Sequence, residues 1–170
     1  MTKDLLWSGP MHQKTLAEEI QSRPIAPEVA AFLNIVRTSD QLSFEVTQLL
    51  RPYGITQQQY NVLRILKGAG ETGLPCLEIG ARMVTRVPDV TRLVDRMERS
   101  GLVSRQRSDE DRRVVRIHIT DGGLQLVEQL TDPIGRLHRA QVDHLSLDQI
   151  ETLNSLLEKV RSRDGSRLPS

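Results

Sequence analysis

Residues 104–120, SRQRSDEDRRVVRIHIT, constrain the fold more than any other stretch. In VVRIHIT, Val115, Ile117 and Ile119 alternate with Val114, Arg116 and His118. That period of two belongs to a strand with one face on a core and the other toward solvent. LVSRQR at 102–107 supplies a second strand. Between them lies SDEDRR, whose Ser and Asp close turns through local side-chain to backbone hydrogen bonds. The expectation is a β-hairpin with a projecting, arginine-rich tip.

Upstream, the pattern is helical. APEVAAFLNIVRTSDQLSFEVTQLLRPYG starts at Pro27, suited to a first helical turn, and places Phe32, Val36, Val46 and Leu50 on one stripe, with Ser39 and Ser43 in the intervening turns, before Pro52 and Gly54 end it. Thr56 can cap a helix with Tyr60, Leu63, Ile65 and Leu66 as core candidates, stopped by KGAGETG. A shorter helix, PCLEIGARM, follows. TRVPDVTRLVDRMERSG then carries Val87, Val90, Leu93, Val94 and Met97 at helical spacing, with Pro88 expected within the first turn and Gly101 at the end. Three successive helices followed by a hairpin describe a winged helix-turn-helix over residues 55–120.

Charge is concentrated where that motif would meet a ligand. The chain's net charge is only +1, yet residues 86–116 hold nine basic residues against six acids, and all nine are arginines. Guanidinium groups fork onto phosphates or base edges, which a lysine ammonium cannot do. A solvated helix face with ordinary ion pairs is the plainer alternative. On the wing, Arg105, Arg107, Arg112 and Arg113 are the candidate contacts, and Asp111 is the acid expected to hold a guanidinium in one orientation.

The ends of the chain exceed what a winged helix needs for its own core. Residues 1–26 form an arm with one short helical candidate, KTLAEEIQ, and residues 27–54 a long helix. After Thr120 and Asp121, Val127, Leu130, Ile134 and Leu137 recur at spacings of three and four, with Pro133 predicting a kink or break. Ser146 and Gln149 form a candidate capping box for a last helix bearing Ile150, Leu153, Leu156, Leu157 and Val160. The economical explanation is that residues 27–54 and 121–170 interdigitate with a second copy; a monomer with a helical cap is the alternative. The fold class is mainly α with a small β-hairpin wing, a winged helix-turn-helix joined to a helical dimerisation region. At 38% apolar and 3% aromatic residues, its core must be mostly Leu, Ile, Val and Ala.

Taken together, YGITQQQYNVLRIL, VTRLVDRMERSGLVSRQRS, DRRVVRIHIT and DGG resemble the multiple-antibiotic-resistance regulator (MarR) family of bacterial transcription factors, from about residue 27 onward. The linked order of recognition helix, Gly-Leu-Val and an Asp-Arg-Arg wing carries the resemblance. It implies a homodimer that binds double-stranded DNA at a pseudopalindromic operator, usually as a repressor, and in many members releases it when a small aromatic anion binds near the junction of the dimer and DNA-binding regions. Thr91 and Arg92 match the family's recognition-helix pair, Arg113 the wing arginine that enters the minor groove, and Asp111 the wing aspartate. Arg86, Pro88 and Asp89 would occupy the helix's N-terminal turn near base edges. Arg96 and Arg99 lie further along, where a phosphate contact or an ion pair with Asp95 or Glu98 serves equally well.

Other chemistries find little support. The four histidines show no HExxH spacing, and there is no GxxxxGK[ST] loop, GxSxG or cysteine pair, so neither an enzyme nor a cofactor or metal is expected. No apolar window is long enough for a membrane span and the start does not read as a signal peptide, so a cytoplasmic protein without a membrane partner is expected. Cys76, the one cysteine, falls where the family is usually aliphatic and reads as core packing, with a thiol-based redox sensor as the alternative. An RNA-binding or protein-interaction winged helix is the other alternative.

Overall fold

A computed structural model describes residues 14–107 and 113–162. The chain divides into two compact units between Glu45 and Val46. In the first, the short helix α1 (Leu16–Glu19) sits within the expected KTLAEEIQ segment, closed by a capping box in which Thr15 and Glu18 satisfy each other's backbone amides. Leu16 is buried, and Glu19 pairs with Arg37 of α2 (Pro27–Leu50) at 2.9 Å. Phe32 and Val36 of the predicted stripe are 64% and 50% exposed, as are Val29 and Phe44 to similar degrees.

The second unit begins with the last turns of α2, which a turn at Arg51–Tyr53 and left-handed Gly54 terminate. Helix α3 (Gln57–Ala69) starts at Thr56, which forms a capping box with Gln59. Tyr60, Val62, Leu63 and Leu66 are buried; Ile65, a core candidate, is partly so. Helices α4 (Cys76–Arg82) and α5 (Val90–Arg99) pack on each other and precede the antiparallel pair β1 (Val103–Arg107) and β2 (Val115–Ile119). The hairpin register pairs Val103 with Ile119 and Arg105 with Ile117. Ile117 also exchanges both backbone hydrogen bonds with Leu74, at 2.8 and 3.0 Å, which anchors the strand to the loop before α4. Gly73 supplies the left-handed φ of 56° at that crossing, and a Cβ there would lie 2.6 Å from the Ile117 carbonyl oxygen.

One core cluster joins α3, α4, α5, both strands and Val127 of α6 (Asp121–Ala140). A second gathers Leu50, Ile55 and Tyr60 with Leu130 and Ile134. One expectation is corrected, and of the kink or break expected at Pro133 the break does not occur. Pro88 does not lie in the first turn of α5: the helix begins at Val90 with Asp89 as N-cap, because the Asp89 carboxylate accepts from the Arg92 amide. Pro133 does not break α6, which continues to Ala140. The lost amide removes one helical hydrogen bond, while Leu130 and Ile134 on either side are held in the same cluster. Helix α7 (Leu147–Arg161) starts at the predicted Ser146–Gln149 capping box and buries none of its residues. Among the described residues no helix is long and apolar enough to cross a membrane.

Candidate nucleic-acid interface

The arginine-rich surface is built on α5 and the hairpin. Helix α5 divides cleanly: Leu93, Val94 and Met97 are buried, and Thr91, Arg92, Arg96 and Arg99 are exposed. Its start is held twice. Asp89 Oδ1 accepts from the Arg92 amide at 2.9 Å, and Asp89 Oδ2 takes the Arg92 guanidinium Nε at 3.1 Å, while the Arg92 side chain stays 81% exposed. Asp89, expected near base edges, is thus a cap that also orients its neighbour. Ahead of the helix, the turn bearing Arg86 and Pro88 is tied to α3 by the Val84 amide, which donates to Asn61 Oδ1 at 2.9 Å. Sequence reasoning missed Asn61, although a polar, weakly helix-favouring residue among the apolar positions of α3 is a signal for such a tertiary bond.

Arg86, Pro88 and Thr91 share the lip of a groove of about 880 Å³ whose apolar walls include Leu77, Val87 and Val90. The groove also reaches Cys76, a free thiol, half-buried and packed against the first core cluster. Cys76→Ala is accordingly expected to lower unfolding free energy by about 1 kcal/mol in urea titrations. Duplex binding should remain insensitive to mild peroxide in both proteins; peroxide-induced release in the unsubstituted chain alone would identify a sensing thiol instead.

On the wing, Arg107 and Arg113 are exposed. Asp111 and Arg112, with the rest of the hairpin tip, lie outside the described residues. Arg105 behaves differently from the other wing arginines. Its Nη1 donates to Glu98 at 2.7 Å and its Nη2 to Asp95 at 2.5 Å, and its side chain is only 27% exposed. The hydrogen bond to Asp95 raises the guanidinium's pKa most; burial, the next effect in size, opposes it, and the charges of Asp95 and Glu98 add smaller increases. Asp95 and Glu98, weighed above as partners of Arg96 or Arg99, are therefore taken up from the wing; Arg99 Nε donates to the Asp95 carbonyl at 3.3 Å. Strand parity explains the outcome. Arg105 is two residues from buried Val103 and directly opposite buried Ile117, so its side chain leaves the hairpin on the face that meets α5.

No group of three or more histidine, cysteine or carboxylate side chains suited to a metal ion occurs among the described residues. The two helices α4 and α5, the capped and exposed start of α5, and an arginine-bearing hairpin beside it form a winged helix-turn-helix. Comparison with known proteins agrees. The model of the MarR family matches residues 55–115. The HTH-type transcriptional repressor IacR of Pseudomonas putida is 30% identical over 129 residues, 76% of each chain. A MarR transcription factor from Planctomyces limnophilus superposes with a TM-score of 0.61 at 36% identity, covering 80% of this chain and 98% of that one. A mutant MarR from Escherichia coli, solved with operator DNA, gives 0.69 at 26% identity, covering 86% and 99%. The chain belongs to the MarR family of DNA-binding transcriptional regulators.

Proposed function

We propose that the protein is a homodimeric repressor that reads a pseudopalindromic operator with one winged helix-turn-helix per subunit. The observation that carries this reading is the exposed, doubly held start of α5, where Asp89 fixes both the helix end and the Arg92 guanidinium. Thr91 and Arg92 enter the major groove, with Asp89, Arg86 and Pro88 beside them; a guanidinium forked onto guanine is the commonest specific contact there. Arg107, Arg112 and Arg113 serve the wing, with Asp111 as an orienting acid, and Arg113 enters the adjoining minor groove, whose potential favours arginine in A·T-rich sequence. The relative solved with operator DNA supports the assignment of duplex DNA over RNA.

Pairing of two copies is supported by the exposed apolar side chains of each unit, Phe32, Val36 and Phe44 in the first and Leu153, Leu156 and Val160 in the second. Patches of this kind mark protein interfaces when they recur along a helix. Release is assigned to a small aromatic anion, for which the groove beside α5 offers apolar walls and the Arg86 guanidinium. Titration with benzoate against acetate checks this, and equal release by the two would reduce it to an ionic-strength effect.

Selection of bound duplexes from random DNA by the purified protein tests the function directly. A two-fold symmetric consensus is expected; no enrichment, or equal binding to RNA, overturns it. On the selected duplex, Arg113→Ala should weaken binding at the A·T positions flanking each half-site and lower the salt slope by about one unit. Arg92→Ala should cost about 1–3 kcal/mol and relax base preference at one position in each half-site. An Arg113 variant with unaltered affinity and salt dependence would remove the wing from the interface.

A further inference from the structure

Arg105 lies within the basic segment, yet its surroundings are those of an internal clamp. Asp95 and Glu98 are three residues apart on one face of α5, and the two Nη atoms of Arg105 reach one carboxylate each. The backbone of Arg105 is fixed in turn by its pairing with Ile117, itself bonded to Leu74. A phosphate contact by this guanidinium would require it to leave two carboxylates, and those carboxylates would repel the phosphate.

We propose that Arg105 is a positioning residue and not a DNA contact: its forked bonds to Asp95 and Glu98 lock the wing to the recognition helix at the spacing that lets both enter adjacent grooves together. The inference rests on the reading above, in which α5 and the wing dock at once. With the two elements locked, docking of one places the other at its groove, so the second contact forms without a separate ordering cost. Arg107 lies on the same face of β1, but it sits at the strand's end opposite Val115, itself 41% exposed, and remains open to solvent. One strand thus carries two arginines with different tasks, separated by their distance from the core.

Three variants separate the two roles on the duplex selected by the unsubstituted protein, with a scrambled duplex of equal length as reference. Arg105→Met is expected to reduce the ratio of specific to non-specific affinity roughly tenfold, within the range for one coupled network, and to leave the salt slope unchanged. A slope lower by about one unit would make Arg105 a phosphate contact and overturn the clamp. The double variant Asp95→Asn with Glu98→Gln provides the opposite sign: the clamp predicts the same loss of specificity although two negative charges are gone, whereas a DNA-contacting Arg105 predicts equal or tighter specific binding. Arg105→Lys keeps the charge without the fork and should recover only part of the ratio; full recovery would show that charge alone suffices. Amide exchange of residues 103–107 and 115–119 in the DNA-free chain should accelerate in Arg105→Met and in the double variant, and unchanged exchange in both overturns the clamp. If the unsubstituted chain selects no duplex, the functional reading fails on its own, and the exchange experiment still decides whether the lock exists. Should Arg105→Met not fold, the carboxylate pair and Arg105→Lys carry the same comparisons.

Discussion

Deletion of residues 146–170 is expected to lower affinity for a full operator by roughly 10² to 10⁴, the factor gained when a second docking becomes intramolecular. The reason lies in α7. Leu147, Leu153, Leu156 and Val160 are 69%, 42%, 55% and 61% exposed, and no residue of the helix is buried in the single chain. A 15-residue helix is marginal in water without tertiary packing, so an apolar face of this kind needs a partner to hold its shape. In the proposed homodimer a second copy would supply it and at the same time set two recognition helices one turn of DNA, about 34 Å, or a multiple of it apart. The truncated protein should sediment as a monomer or aggregate, and should bind a half-site nearly as well as the full palindrome. A soluble monomer that still binds the full operator as tightly as the intact chain would remove α7 from the dimer interface.

Ile117→Ala is expected to destabilise the winged helix by about 2–5 kcal/mol in chemical denaturation, the range for truncating a fully enclosed aliphatic side chain. Ile117 is completely buried in the cluster that includes Leu63, Leu66, Val94 and Met97, and it is the residue through which β2 is bonded to Leu74. The cavity left by the lost atoms would open beside both the hairpin and α5. Two positions earlier, Val115 is 41% exposed, and Val115→Ala should change stability by about 0.5 kcal/mol or less. Equal losses at the two sites would mean that the hairpin is not anchored through Ile117.

Much of this architecture is written in local pattern. The alternation of Val115, Ile117 and Ile119 specifies a strand because a period of two has no helical counterpart, and the structure places β2 at Val115–Ile119. Thr56 with Gln59 and Ser146 with Gln149 mark helix starts through bonds made within four residues, so their chemistry is complete in the sequence. Parity along β1 could likewise have turned Arg105 inward, since Val103 two residues earlier is plainly apolar. Composition worked against that inference: an arginine among arginines suggests the same task for all.

What the sequence by itself determined was the kind and order of elements, the winged helix-turn-helix they make, and the surface on which arginines gather, because periodicity, capping and turn chemistry act over a few residues. The tertiary structure decided the rest. It placed Pro88 ahead of α5 because the Asp89 carboxylate caps the helix by accepting from the free Arg92 amide, and it carried α6 through Pro133 because Leu130 and Ile134 are held in one cluster on both sides of it. It also gave Asp95 and Glu98 to Arg105, seven to ten residues away along the chain, since an ion pair forms with whichever partner the packing of strand on helix brings within reach.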